Sequence, residues 1–86
     1  MKKNVYVNTP DGVFSTYDMG LAVALLATKY ELISLDRSTP RKVLFVFKRE
    51  EGIEETAENY WSDTLSVQAR TFFDTQKMLK NRMYSE

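Results

Sequence analysis

A long apolar stretch in the first half of the chain predicts the central element of the fold. Residues 21–27 carry no charged side chain on any face, whereas an ordinary surface helix keeps one polar side. We therefore predict a helix covered on most sides. Ser15 or Thr16 is expected to be its N-cap, because a hydroxyl oxygen there accepts a hydrogen bond from the first turn. Asp18 suits the positive end of the helix. Small residues on one stripe leave room for another element to approach closely: Gly20, Ala24 and Ala27.

Two segments after this helix predict a β-hairpin. Residues 30–37 and 42–49 read as strands around a turn at 38–40. The second strand is apolar on both faces, as expected of a strand that is central in a covered sheet or half covered by a partner. The first strand is less apolar and is expected nearer the edge. The apolar residues of the second strand are Val43, Leu44, Phe45, Val46 and Phe47.

The N-terminal residues predict a second, smaller hairpin. Residues 3–7 alternate polar and apolar side chains, which is typical of a short strand. The turn residues Thr9-Pro10-Asp11-Gly12 suit a type I turn, because proline is favoured at its second position. Val13 and Phe14 are then expected to return antiparallel to the first strand.

Helical periodicity returns in the last third of the chain. Ile53, Ala57, Tyr60 and Trp61 recur at the spacing of one helix face, and Ser66 is a candidate cap for a further helix. The residues of that last helix expected to face inward are Ala69, Phe72, Phe73, Gln76, Leu79 and Met83.

Composition fits one small globular domain. The 86 residues are 43% hydrophobic and 28% charged, which leaves little room for a long disordered segment. We predict one compact α+β domain over residues 1–86, in which a small antiparallel sheet (hairpin, helix, hairpin) packs with the central apolar helix and two C-terminal helices. The apolar run is shorter than the roughly 20 residues that a membrane span needs, so we expect no membrane partner.

The residue types present argue against an enzyme. The chain has no histidine and no cysteine, which removes the usual general base at neutral pH, the commonest metal ligand and the thiol nucleophile. The serines therefore lack an activating imidazole, and no glycine-rich phosphate loop is present. We expect no catalytic residues, no cofactor and no metal. The start Met1-Lys2-Lys3 leads into no apolar signal segment, so a cytoplasmic location is expected.

Acidic side chains are concentrated in one segment. Residues 50–63 contain six acids and no base, although the net charge of the whole chain is zero. A solvated helix face is the expected explanation, because ligands of a divalent cation converge from a turn or from several elements rather than along one helix. The acidic residues are Glu50, Glu51, Glu54, Glu55, Glu58 and Asp63.

Several residues of the chain, at their spacing, resemble the pattern of a known protein family. They are Thr16, Asp18, Leu21, Ala22, Leu25, Phe45, Phe47, Tyr60, Phe73, Leu79 and Lys80. The family is a small group of phage and prophage proteins whose domain has no assigned function, and the resemblance covers residues 14–82. The sequence departs from the pattern at Lys29-Tyr30, where a glycine is expected, and in its N-terminal hairpin. The resemblance implies a viral or mobile-element setting, hence the cytoplasm of a host cell or a place in the virus particle, and brings no catalytic residues.

Aromatic residues suggest a protein contact as the function. Tyrosine and tryptophan are the residue types that anchor interfaces, and Tyr60, Trp61 and Tyr84 are the best candidates. A helix that is apolar on all sides and a strand that is apolar on both faces also need more buried surface than a small chain readily provides. The leading prediction is therefore a non-enzymatic interaction and self-assembly module that forms a homo-oligomer or binds another phage or host protein.

The alternative function is binding of single-stranded nucleic acid. Basic residues interleaved with strand aromatics are typical of proteins that track phosphates and stack bases, and here they flank Phe45 and Phe47. A stripe of valine and phenylalanine is more often core, and a net charge of zero is unusual for this class, so the alternative is ranked second. Its candidate residues are Arg37, Arg41, Lys42, Lys48 and Arg49.

Overall fold

The computed structural model describes residues 6–7 and 12–85 and has an α+β fold, as predicted. A sheet of three principal strands and a two-residue fourth strand packs with three helices. The elements in chain order are β1 (Tyr6–Val7), β2 (Val13–Thr16), α1 (Met19–Ala27), β3 (Leu32–Asp36), β4 (Leu44–Lys48), α2 (Ile53–Trp61) and α3 (Ala69–Ser85).

The sheet is antiparallel throughout, with the strand order β1-β2-β4-β3. β4 lies between β2 and β3, which confirms the first of the two alternatives predicted from its apolar faces, a central strand. β3 lies at the edge, also as predicted, and a register shift between Leu32 and Ser34 leaves Ile33 47% exposed. The pairing of β2 with β4 joins the two predicted hairpins into one sheet.

The N-terminal hairpin is described in part. Tyr6 pairs with Thr16 and Val7 with Ser15, both antiparallel. This pairing confirms the predicted return of the chain, and the returning strand β2 extends to Thr16. The predicted strand residues 3–5 and turn residues 9–11 lie outside the described residues.

One face of the sheet and the middle of α1 form the core. Phe14 pairs with Phe47 and Thr16 with Phe45 across the two central strands, and all four side chains are buried. Every residue of the segment 21–25 is also at most 1% exposed, because the sheet covers one side of α1 while α2 and α3 pack against others. The prediction of a helix covered on most sides is confirmed, and each large apolar side chain buried there contributes about 1.5–3 kcal/mol.

The N-cap of α1 is Asp18, and the prediction of Ser15 or Thr16 is wrong. Both hydroxyl residues belong to β2, where their backbones pair with β4. The Asp18 carboxylate accepts a hydrogen bond of 2.8 Å from the Leu21 N–H. Thr16 supports the cap indirectly, since its Oγ1 accepts a 3.0 Å bond from the Asp18 N–H.

The C-terminus of α1 closes without glycine. The Lys29 N–H donates to the Leu26 carbonyl and the Tyr30 N–H to the Leu25 carbonyl, each at 3.0 Å, which is the paired pattern of a Schellman motif. Lys29 has φ +80°, in the left-handed region where glycine is favoured. The departure from the family pattern at this position is therefore a departure in residue type, while the turn that a glycine would make is still formed.

α3 presents the predicted face to the core except at Ala69 and Phe73, which are exposed. Phe72, Leu79 and Met83 pack on the core as expected, but Phe73 is 57% exposed. Adjacent helical residues are separated by about 100°, so Phe72 and Phe73 cannot both point inward. The helix begins at Ala69, three residues after the predicted cap Ser66.

Candidate interaction site at the junction of α2 and α3

An open cleft of about 350 Å³ lies where α2 ends and α3 begins, above the middle of α1. Apolar residues form most of its lining, and Tyr60 and Asp63 are the lining residues with polar side chains. We call it the junction cleft. Its lining residues are Ala24, Tyr60, Asp63, Leu65, Val67, Ala69 and Phe72.

The connection between the two helices builds one wall of the junction cleft. Along residues 64–68, burial alternates, with Leu65 and Val67 half-buried and the residues beside them exposed. Such alternation is that of an extended chain lying over apolar surface. Two backbone N–H groups, of Thr64 and Leu65, donate to the Asn59 carbonyl at 2.9 and 3.1 Å. These bonds fix the start of the connection to α2, so the wall is formed in the free protein.

Tyr60 lines this cleft, and its hydroxyl packs against the first turn of α1 at Gly20. A Cβ placed on Gly20 would overlap the Tyr60 hydroxyl, so α2 approaches α1 closely at one of the small residues of the predicted stripe. Burial and, to a smaller extent, the nearby Asp18 carboxylate raise the pKa of the Tyr60 phenol. At neutral pH Tyr60 is therefore a neutral hydrogen-bonding group and not a base.

The three predicted interaction residues do not meet within one molecule. The Tyr60 and Trp61 rings touch edge to face, with centroids 5.0 Å apart, and Trp61 is 37% exposed. Tyr84 is 81% exposed, but it lies twelve residues beyond Phe72 on α3, about 18 Å along the helix axis. The structure thus joins two of the three candidates.

The acidic residues of α2 stay on its outer side. Glu54 and Glu55 are exposed and Glu58 is half-buried, and Glu54 forms an ion pair with Arg49 at the end of β4. Within residues 6–7 and 12–85, no three carboxylates are grouped so that they could hold a metal ion. The glutamates of α2 therefore form a solvated face, and Asp63 is the acidic residue that lines the junction cleft.

The five basic residues of the alternative function are divided between two ends of β4. Lys42 precedes the strand and Lys48 ends it, a separation of about 20 Å at 3.3 Å per residue. Arg49 is engaged with Glu54 and with the Val13 carbonyl. Phe45 and Phe47 are at most 1% exposed, so they cannot stack on bases as the alternative required.

A basic cleft remains at the start of β4. The Lys42 ammonium lies 4.8 Å from the centroid of the exposed Tyr17 ring, and Arg37 donates a hydrogen bond to the Met83 carbonyl. The cleft measures about 310 Å³. Its lining residues are Tyr17, Met19, Arg41, Lys42, Val43, Phe45 and Met83.

A surface of α3 was missed by the sequence analysis. Residues spaced by four, three and four positions share one side of a helix, and the four residues at this spacing that include Phe73 are all exposed. The Lys77 ammonium lies 5.5 Å from the Phe73 ring centroid. The spacing itself was the available signal. We call this surface the outer face of α3, and it consists of Phe73, Lys77, Lys80 and Tyr84.

Comparison with known proteins adds a family and no activity. A family model described as a domain of unknown function (DUF5659) matches residues 11–85. No curated protein and no solved structure matches the chain. None of the helices in the described part is long and apolar enough to cross a membrane.

Proposed function

Since this chain belongs to the DUF5659 family, a domain of unknown function, we propose on the geometry of the junction cleft that it is a small non-enzymatic protein-interaction module. The observation that carries the proposal is a preformed cleft with a mostly apolar lining beside the half-exposed Trp61. Tryptophan and tyrosine in such surroundings are typical of residues that dominate binding energy.

The size and charge of the junction cleft indicate what it binds. A volume of about 350 Å³ is at the lower end of the range for small-molecule sites, roughly 300–1,000 Å³, and suits one or two inserted side chains. Asp63 lines the cleft and residues 50–63 carry no base. The partner is therefore a protein segment that inserts an apolar or aromatic side chain and carries lysine or arginine beside it.

Peptide titration tests this proposal. Trp61 is the one tryptophan of the chain, so its fluorescence reports on the Tyr60 side of the cleft. We expect a saturable change with a helical peptide that has leucine anchors and lysine flanks. The same peptide with glutamate flanks is expected to give no change, because like charges repel.

A matched pair of variants locates the binding. Val67→Lys fills the junction cleft and adds a positive charge, and is expected to abolish the fluorescence change. Ser66→Lys adds the same charge at the exposed neighbouring position and is expected to retain it. A peptide that leaves wild-type fluorescence unchanged, or one that binds the Val67→Lys variant equally well, would overturn the proposal.

The proposed setting is a phage or prophage, with the protein acting in the host-cell cytoplasm. Support comes from the resemblance of its motifs to a family of such proteins. Antibody detection after prophage induction distinguishes the two locations, since a cytoplasmic protein stays in the cleared lysate and a virion component sediments with purified particles.

A second candidate function is binding of single-stranded nucleic acid at the basic cleft. The observation that favours it is the meeting of Arg41, Lys42 and the exposed Tyr17 ring, since an aromatic face beside cations suits stacking and phosphate contacts. Fluorescence anisotropy with a labelled single strand tests it. Binding should fall steeply with salt and with Arg41→Glu/Lys42→Glu, whereas Lys48→Glu at the other end of β4 is the control. Equal loss in both variants would contradict this assignment.

A further inference from the structure

The outer face of α3 carries aromatic groups that the molecule itself does not cover. Phe73 is 57% exposed and Tyr84 is 81% exposed, and Lys77 and Lys80 lie between them on the same side of the helix. Asp74 is turned about 100° from Phe73 and lies 3.7 Å from Arg70. The outer face of α3 is thus aromatic and positively charged, as the proposed function requires of the segment that enters the junction cleft.

Two copies cannot join through their outer faces of α3 alone. A two-fold axis would make the helices either antiparallel, so that Lys77 meets the partner's Lys80, or parallel, so that each lysine meets its own counterpart. Four ammonium groups would then meet at the axis, and like charges at such positions are destabilising. Pairing two junction clefts, each with Asp63 in its lining, meets the same objection. Favourable association between copies therefore joins unlike surfaces.

We propose that the outer face of α3 of one copy docks on the junction cleft of the next, with Tyr84 as the inserted side chain. This inference rests on the proposed function, and it names a second copy of the chain as the partner. Lys80 lies one helical turn before Tyr84, which places its ammonium toward the Asp63 carboxylate at the cleft. The contact brings Tyr84 of one copy to the junction cleft of the next, whereas within one copy Tyr84 lies about 18 Å along the helix axis from Phe72 in the lining of that cleft.

This arrangement is head to tail. Each copy offers one junction cleft and one outer face of α3, so a dimer leaves one of each unused. Heterologous contacts of this kind continue into an open chain of copies or close into a ring. Association is therefore expected to extend beyond a dimer as concentration rises.

Sedimentation velocity of mixed variants tests the inference. Val67→Lys blocks the junction cleft, and Lys80→Glu/Tyr84→Ala disables the outer face. We expect each variant alone to weaken self-association by at least about 30-fold, the scale of a hot-spot loss. An equal mixture is expected to form dimers and nothing larger, because one intact cleft and one intact outer face then meet once.

Two control variants keep the interpretation specific. Ser66→Lys and Met78→Ala change residues that are exposed but lie outside both surfaces, and both should associate as the wild type does. Circular dichroism checks that every variant is folded.

Three results would overturn head-to-tail docking: a wild type that stays monomeric at every concentration and salt, a variant that still assembles alone, or a mixture that gives no dimer. The peptide titration separates this failure from failure of the proposed function. If Trp61 responds to the lysine-flanked peptide in a protein that remains monomeric, the junction cleft binds a partner other than a second copy.

Discussion

At the scale of single residues, the contact between Gly20 and Tyr60 fixes how closely α2 packs on α1. Gly20→Ala is expected to lower the free energy of unfolding, because its Cβ would overlap the Tyr60 hydroxyl. Overpacking costs about 1–3 kcal/mol, more than the roughly 1 kcal/mol gained in helix propensity. With Tyr60→Phe the hydroxyl is absent, and the nearest ring carbon is 3.3 Å from the added Cβ. Urea unfolding of both single variants and the double variant should give a coupling energy of at least about 0.5 kcal/mol; additive effects would contradict the contact.

The same phenol makes stability depend on alkaline pH. The pKa of Tyr60 is raised in the folded state by burial and by Asp18, so the folded protein holds this proton more tightly than the unfolded chain does. The stabilisation is complete below the unfolded pKa of about 10 and is lost as pH rises through the folded pKa. Denaturant unfolding from about pH 8 to about pH 11, a range that spans this reference value, should show a smaller decline of the free energy of unfolding for Tyr60→Phe than for the wild type. Parallel curves would show that another group is responsible.

Two neighbouring hydroxyls of β2 should respond in opposite ways. Ser15 Oγ is buried and has no hydrogen-bond partner in the described part of the chain, whereas Thr16 Oγ1 accepts from the Asp18 N–H. Ser15→Ala is expected to raise the free energy of unfolding by about 1 kcal/mol and Thr16→Val to lower it by a similar amount. Thermal or urea unfolding measures both, and a loss of stability in Ser15→Ala would show that its hydroxyl is in fact satisfied.

At the scale of elements, the backbone just after α1 is strained at Lys29, which has a positive φ, and a substitution can remove this strain. Lys29→Gly is expected to raise the free energy of unfolding by about 0.5–1 kcal/mol, because glycine adopts a positive φ without the side-chain penalty. The control is Thr28→Gly, one residue earlier, where φ is −97° and the hydroxyl donates to the Ala24 carbonyl at 2.9 Å. Urea unfolding should show the two substitutions acting with opposite sign.

The elements themselves could be predicted from periodicity, and the errors have physical causes. β4 and the α2 face were recognisable because burial repeats with the period of each element, whereas α1 was recognisable from an unbroken apolar run. The cap of α1 was misassigned because pairing with β4, a contact distant in sequence, extends β2 through Thr16. The prediction that Phe73 faces inward rested on its apolar side chain. It was wrong because Phe73 is turned about 100° from Phe72, which faces the core.

At the scale of the whole molecule, folding and association are expected to depend differently on salt. The ion pairs found in the described part, Arg49 with Glu54 and Arg70 with Asp74, lie at the surface, where such pairs contribute about 0–1 kcal/mol. The free energy of unfolding should therefore change by less than about 1 kcal/mol between low and high sodium chloride. Self-association through lysines and acids should weaken over the same range. Urea unfolding and sedimentation at the same salt concentrations compare the two responses. If salt lowered the free energy of unfolding as much as it weakened self-association, the ion pairs would contribute more to folding than expected.

The candidate site was predictable in part for reasons of geometry. Residue type alone indicated Tyr60 and Trp61, which are adjacent in sequence and so lie together. Tyr84 could not be placed relative to them, because its position depends on how α3 crosses α1. The basic residues likewise formed one group in sequence, yet a strand separates Lys42 from Lys48 by its full length.

The uninterrupted burial of α1 also bears on how the chain reaches its structure. A helix with no polar side would expose apolar side chains to water on every face if it formed alone. A helix of nine residues is also too short to be stable in isolation. It can form only together with the sheet below it and the helices beside it, which requires contacts distant in sequence and slows folding. A chain cut between α2 and α3 would leave α1 without one of its covers, exposing apolar surface that promotes aggregation. Proteolytic nicking at that connection should therefore produce precipitate rather than a stable fragment.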